Sequence, residues 1–142
     1  MLVLSSKVKY GIAALMELVS NYERGLLQTK IIADRRAIPP NYLEQLLNQL
    51  TKAGLVKALR GSKGGYQLAV PPEEITFLQV WELLEGGLEI AKNNEGRNDT
   101  LQDLYREAER AIKGVFSISL AQLFARQLEY EEQAQESLMF HI

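Results

Sequence analysis

Leu55-Val56-Lys57-Ala58-Leu59-Arg60 and Tyr66-Gln67-Leu68-Ala69-Val70, separated by Gly61-Ser62-Lys63-Gly64-Gly65, is the stretch whose reading decides the fold. Two short apolar-rich runs around a glycine-rich turn predict a β-hairpin, because glycine supplies the positive φ angles a tight turn needs. Pro71-Pro72 closes it. Arg60, Ser62, Lys63, Gly64 and Gly65 give the hairpin a slender basic tip. Such a tip can follow a phosphate backbone or enter a minor groove, whose negative potential attracts arginine. It is no nucleotide-binding P-loop: Lys63 precedes the last glycines, and a strand follows where a phosphate-binding helix should begin.

Upstream, the periodicity predicts three helices. The first spans about Ser5 to Tyr22, with Val8, Ile12, Leu15 and Val19 as its buried stripe. The second covers Lys30 to Arg36, with Thr29 as N-cap. The third opens at Pro40, a residue suited to the first helical position, and stops at Gly54. Leu43, Leu46, Leu47 and Leu50 form one face of the third helix; Asn41, Glu44, Gln45 and Asn48 form the other. Helix, turn, helix, hairpin is the order of a winged helix-turn-helix. An exposed helix face carrying Asn and Gln, which pair two-pronged with adenine, and Glu, which accepts from cytosine, suits a major groove. Taken alone, these four residues read equally well as an ordinary solvated face. Ser5, Ser6, Lys7 and Tyr10 gather hydroxyls, a lysine and backbone N–H groups at a helix N-terminus, a natural phosphate clamp.

Charge supports this division. Residues 1–72 hold ten basic and four acidic residues, a net of +6, whereas residues 73–142 hold six basic and fourteen acidic, a net of −8. A basic half joined to an acidic half predicts a polyanion-binding module followed by a module of another kind. Thr76 with Gln79 fits a capping box for a fourth helix ending near Glu85. A polar connector follows, then a long helix from about Thr100 to Phe116. There Leu101, Leu104, Ala108, Ala111 and Val115 recur at heptad spacing, widened by Tyr105 and Ile112. This stripe predicts a dimer seam, part of it packing on the chain's own core. Ser119 and Gln122 open a last helix, whose Leu120, Leu123, Phe124 and Leu128 should cover the end of that seam; the polar tail from Glu131 is expected to fray. Phe77, Trp81 and Tyr105 read first as plain core and second as the lining of an effector pocket.

These residues resemble the Rrf-two-type (IscR/NsrR/CymR-like) family of transcriptional regulators. The resemblance rests on Leu4-Ser5-Ser6-Lys7 through Tyr10, on Pro40-Asn41-Tyr42-Leu43-Glu44-Gln45-Leu46-Leu47 and on Ala53-Gly54-Leu55-Val56. It continues through Arg60-Gly61-Ser62-Lys63-Gly64-Gly65-Tyr66-Gln67-Leu68-Ala69 and Leu83-Leu84-Glu85-Gly86, covering the first 86 residues. It implies DNA binding, with Asn41, Glu44 and Gln45 reading bases and Arg60 in the minor groove. It also implies a homodimer on a near-palindromic operator, with repressor the plainest role. Cluster-binding members carry three cysteines in the connector. Here the connector, residues 87–99, has none, and the only histidine is His141. A thiolate-held iron–sulfur cluster is therefore impossible, and Glu89, Glu95 and Asp99 read as a polar loop with no metal. No cofactor is expected; a small-molecule or protein effector is.

The expected fold is mainly α with a small β-hairpin wing. It comprises a winged helix-turn-helix over residues 1–86, the connector over 87–99, and dimerisation helices with a tail over 100–142. An enzyme is excluded by the missing acid–base players: no cysteine, one histidine, and no paired-carboxylate or serine–base arrangement. A winged helix used only for protein contacts is the alternative function. The lack of a signal-peptide pattern or membrane-length apolar run leads to the expectation of a cytoplasmic protein with no membrane partner.

Overall fold

The structure, a computed structural model, describes residues 4–90 and 99–140. Helix α1 (Ser6–Ser20) starts at Ser5, whose side chain accepts from the Val8 N–H at a long 3.5 Å. It ends two residues before the expected Tyr22. Its buried face is broader than one stripe: Gly11, Ala14, Met16 and Leu18 join Val8, Leu15 and Val19, while Ile12 is half-buried. Helix α2 (Thr29–Arg36) includes Thr29 as its first residue, so Gln28 takes the N-cap position and makes no side-chain cap bond. Ala37, left-handed at φ 52°, terminates α2, and helix α3 (Pro40–Lys52) begins with proline in its first turn. Leu43, Leu46, Leu47 and Leu50 are all fully buried, anchoring α3 against α1 and α2. Burial of each contributes about 1.5–3 kcal/mol.

Strands β1 (Val56–Leu59) and β2 (Gly65–Leu68) pair antiparallel, Val56 opposite Leu68 and Leu59 opposite Gly65. β1 is one residue shorter than its sequence run at each end, whereas β2 begins one residue earlier than expected, at Gly65, and ends two earlier, at Leu68. A third segment joins them: Leu27 exchanges backbone hydrogen bonds with Tyr66, at 2.8 and 2.9 Å. Isolated two-stranded hairpins are marginal in water, so this extra pairing stiffens the wing's root. It also explains Gly65, where a Cβ would stand 2.7 Å from the Leu27 carbonyl oxygen.

A short 3-10 turn (Pro72–Glu74) leads into helix α4 (Phe77–Glu85), capped by Thr76, which accepts from the Gln79 N–H at 3.0 Å. Helix α5 (Thr100–Phe116) is capped by Asp99, which accepts from the Gln102 N–H at 2.8 Å. Helix α6 (Leu120–Phe140) opens on a complete capping box: Ser119 Oγ accepts from Gln122 N, and Gln122 Oε1 accepts from Ser119 N. The expected fraying from Glu131 is not found, since α6 runs helical to Phe140. Its last turns are rich in Glu, Gln, Ala and Leu, all strong helix formers.

The α5–α6 turn is stitched to the start of α4. Phe77 N–H donates to the Ile118 carbonyl at 3.0 Å, and Leu120 N–H donates to the Ile75 carbonyl at 2.7 Å. Leu120 is fully buried within the same core as Leu15, Ile75 and Val80. Leu123 and Phe124 pack on that core, where α6 runs beside α1, and Leu128 is 45% exposed. These residues therefore do not cover the α5 seam as the sequence reading expected.

Candidate nucleic-acid interface

The two faces of α3 separate fully. With its leucines buried, Asn41, Glu44, Gln45 and Asn48 are all exposed. Tyr42 lies between the faces and meets Tyr10 of α1 edge-on. That contact fixes α3 relative to the α1 N-terminus, where Ser6 is exposed and Lys7 and Tyr10 are half-buried. Ser5 is committed within the chain: besides capping α1, its hydroxyl donates to the Glu85 carboxylate at the end of α4.

The wing presents Arg60, Ser62 and Lys63 to solvent, with Gly64 and Gly65 partly covered. Gly61 adopts φ 117°, a left-handed conformation that side chains strain to reach. Gly64 has a different reason: a Cβ there would collide with the Leu59 carbonyl. Both requirements are internal to the turn.

On α5 the sequence-derived stripe is largely bare. Leu101 (56%), Leu104 (55%), Tyr105 (38%) and Val115 (72%) are exposed, as is Ala111; Ala108 and Ile112 are partly covered. No α5 residue is buried, despite its strongly one-sided apolar pattern. Ile112 and Phe116 are the residues that reach the chain's own core.

The aromatic effector pocket does not form. Phe77 and Trp81 close around Phe116, with ring centroids at 4.7 and 5.0 Å, so the three rings fill the space. Tyr105 stays on the exposed stripe. A groove of about 590 Å³ lies elsewhere, between α1 and α6, floored by Ile12, Met16, Leu123 and Phe124.

Sequence reasoning missed the contacts of three glutamates. Glu17 on α1 accepts from Arg36 Nε at 2.7 Å and from an Arg35 side-chain nitrogen at 3.2 Å, tying α1 to α2. Glu85 holds Ser5, and Glu109 on α5 accepts from the Ile90 N–H at 3.2 Å. The partners lie between 18 and 80 residues apart, beyond any local pattern. Among the described residues, no helix is long and apolar enough to cross a membrane.

A polar-faced third helix held on a buried leucine stripe, followed by a basic hairpin, defines a winged helix-turn-helix transcription regulator that binds DNA. Residues 4–126 match the family model described as Rrf2, iron-dependent transcriptional regulator, and the chain belongs to the Rrf2 family. Its sequence is 32% identical to the transcriptional regulator CymR of Bacillus subtilis, over 98% of this chain and 99% of that one. The solved structure of CymR, the global cysteine regulator of B. subtilis, superposes with a TM-score of 0.81, covering 89% of this chain and 98% of that chain at 34% identity. That of T. potens IscR gives 0.75, covering 94% and 91% at 34% identity. It is a transcriptional regulator family, not an enzyme family.

Iron in the family description does not carry over to a thiolate-held site here. The chain has no cysteine, and no three His, Cys, Asp or Glu residues among those described converge on a metal position.

Proposed function

We propose that this regulator binds a near-palindromic operator as a homodimer and reads it without an iron–sulfur cluster. The observation that carries the reading is the pairing of two unsatisfied surfaces on one chain. One is the exposed polar face of α3 with its basic wing; the other is the bare apolar stripe of α5. In this reading Asn41, Glu44, Gln45 and Asn48 meet base edges in the major groove. Arg60 enters the minor groove, with Ser62, Lys63, Gly64 and Gly65 shaping the wing around it. Ser6, Lys7, Tyr10 and the α1 N-terminus meet phosphate, with Ser5 orienting that end.

Residues 1–86 serve DNA, 87–99 connect, and 100–142 assemble. Leu101, Leu104, Tyr105, Ala108, Ala111, Ile112 and Val115 form the seam with a second copy. A stripe this wide and exposed is costly in water, and burying it against an identical stripe removes that cost. Two-fold pairing also explains why an operator would be palindromic. A small-molecule or protein effector acts by preferring one of two dimer geometries.

The test is selection of duplexes from a random pool by the wild-type protein, followed by titration across salt concentrations and sedimentation. A palindromic consensus bound by a dimer with a steep salt slope is expected. A monomer, or binding without salt dependence, defeats the reading.

A further inference from the structure

Leu59 is the most exposed of the large hydrophobics within residues 4–86, at 59%; Ile31 at 36% and Leu83 at 41% follow. It sits at the last position of β1, where the wing's turn begins. Strand alternation puts it on the face opposite buried Val56, alongside Lys57. Its cross-strand partner is Gly65, which has no side chain to lie against it. The wing from Val56 to Leu68 carries Lys57, Arg60 and Lys63 and no acidic residue. An exposed apolar side chain on a hairpin whose only charges are basic is poorly suited to a protein core, but well suited to a polyanion whose walls are partly apolar.

We propose that Leu59 is a DNA contact, packing its side chain against deoxyribose edges of the minor groove beside Arg60. The proposal rests on the DNA-binding reading and adds to it an apolar, salt-independent contact. Duplex DNA is charged at its phosphates, but the sugar walls of the minor groove present CH and CH₂ groups. Where the groove is narrow, the setting that favours an inserted arginine, those walls stand close together. A leucine one residue from that arginine then exchanges water for sugar. The gain is hydrophobic and scales with area removed from water. No counterion is released, so the salt slope is untouched. Leu59 would thereby sharpen a preference for groove width at positions no side chain reads by hydrogen bonding.

The experiment uses the full-length protein and a duplex selected from a random pool by the wild type. Leu59→Ser is expected to bind about tenfold more weakly with an unchanged salt slope and unchanged urea unfolding. Leu59→Lys separates the proposal from simple electrostatics. A wing that works by charge alone gains affinity and a steeper slope from an added lysine; an apolar contact loses affinity. A scan of single ribonucleotides along the duplex places a polar 2′-hydroxyl in the minor groove at each position. One position per half-site should weaken the wild type and leave Leu59→Ser indifferent, the coupling expected of direct neighbours. Wild-type affinity in Leu59→Ser, or stronger binding by Leu59→Lys, overturns the proposal. Failure of the wild type to select any duplex overturns the DNA-binding reading, and the Leu59 contact falls with it.

Discussion

Tyr10 of α1 and Tyr42 of α3 meet edge to face, ring centroids 5.8 Å apart and planes at 78°. The pair joins the helix N-terminus proposed to hold phosphate to the helix proposed to read bases. Edge-to-face aromatic pairs are worth about 0.5–1.5 kcal/mol beyond their burial. Tyr42→Leu should therefore lower unfolding free energy by about that amount in a urea titration. It should also weaken operator binding, because α3 loses its orientation. Unchanged affinity would show that the leucine stripe alone orients α3.

Replacing Gln45 or Glu44 with Ala should weaken specific binding by about 1–3 kcal/mol and relax preference at one base position per half-site. Both side chains are exposed, so stability should not change. Equal losses on selected and random duplexes would remove them from base reading.

Lys7→Ala and Lys63→Ala should each weaken specific and non-specific binding alike, with the salt slope shallower by about one unit. Salt slopes identical to wild type would count against phosphate contacts at these positions.

Leu104→Asp combined with Ala111→Asp puts charge on the exposed α5 stripe. Neither residue is buried in the single chain, so the fold should survive. Sedimentation should report monomers, and operator affinity should collapse. A dimer that persists would place the assembly surface elsewhere.

Gly65→Ala tests the stitched root of the wing. The added methyl meets backbone, the Leu27 carbonyl oxygen at 2.7 Å, which cannot swing aside as a side chain can. Such overpacking costs about 1–3 kcal/mol. Circular dichroism should show intact helices, while DNA binding falls through a displaced Arg60 and Lys63.

The helices were legible because their signals are local. The leucine spacing of α3 set its buried face, and with it the polar face opposite. Thr76 and Ser119 announced their helices through capping chemistry. What escaped reading depends on residues distant in the chain. Nothing around Leu27 marks it as a strand partner for Tyr66. Leu120, Leu123 and Phe124 read as seam-covering residues because their apolar spacing gives a face but not its target. Phe116 sits at the end of α5, and only the fold shows that it occupies the space between Phe77 and Trp81. The polar composition of residues 131–140 suggested fraying, yet their helix propensity prevailed. For the candidate site, the exposed polar face of α3 and the exposed basic wing were legible from period and charge. The tethers that hold them, Ser5 to Glu85 and Glu17 to Arg35 and Arg36, were not.

Leu120 begins the last helix, yet its side chain is enclosed with Leu15, Ile75 and Val80, and its N–H is held by the Ile75 carbonyl. The C-terminal third therefore supplies a plug for the N-terminal core. Heat or denaturant should melt both stretches in one cooperative transition. A chain ended at residue 86 would carry an unfilled hole where Leu120 belongs. The residues that rejoin the core at Ile118, Ser119 and Leu120 are bound to the fate of the N-terminal core. A ligand that strains the α5–α6 turn would be felt as lost stability in the very core that supports α3.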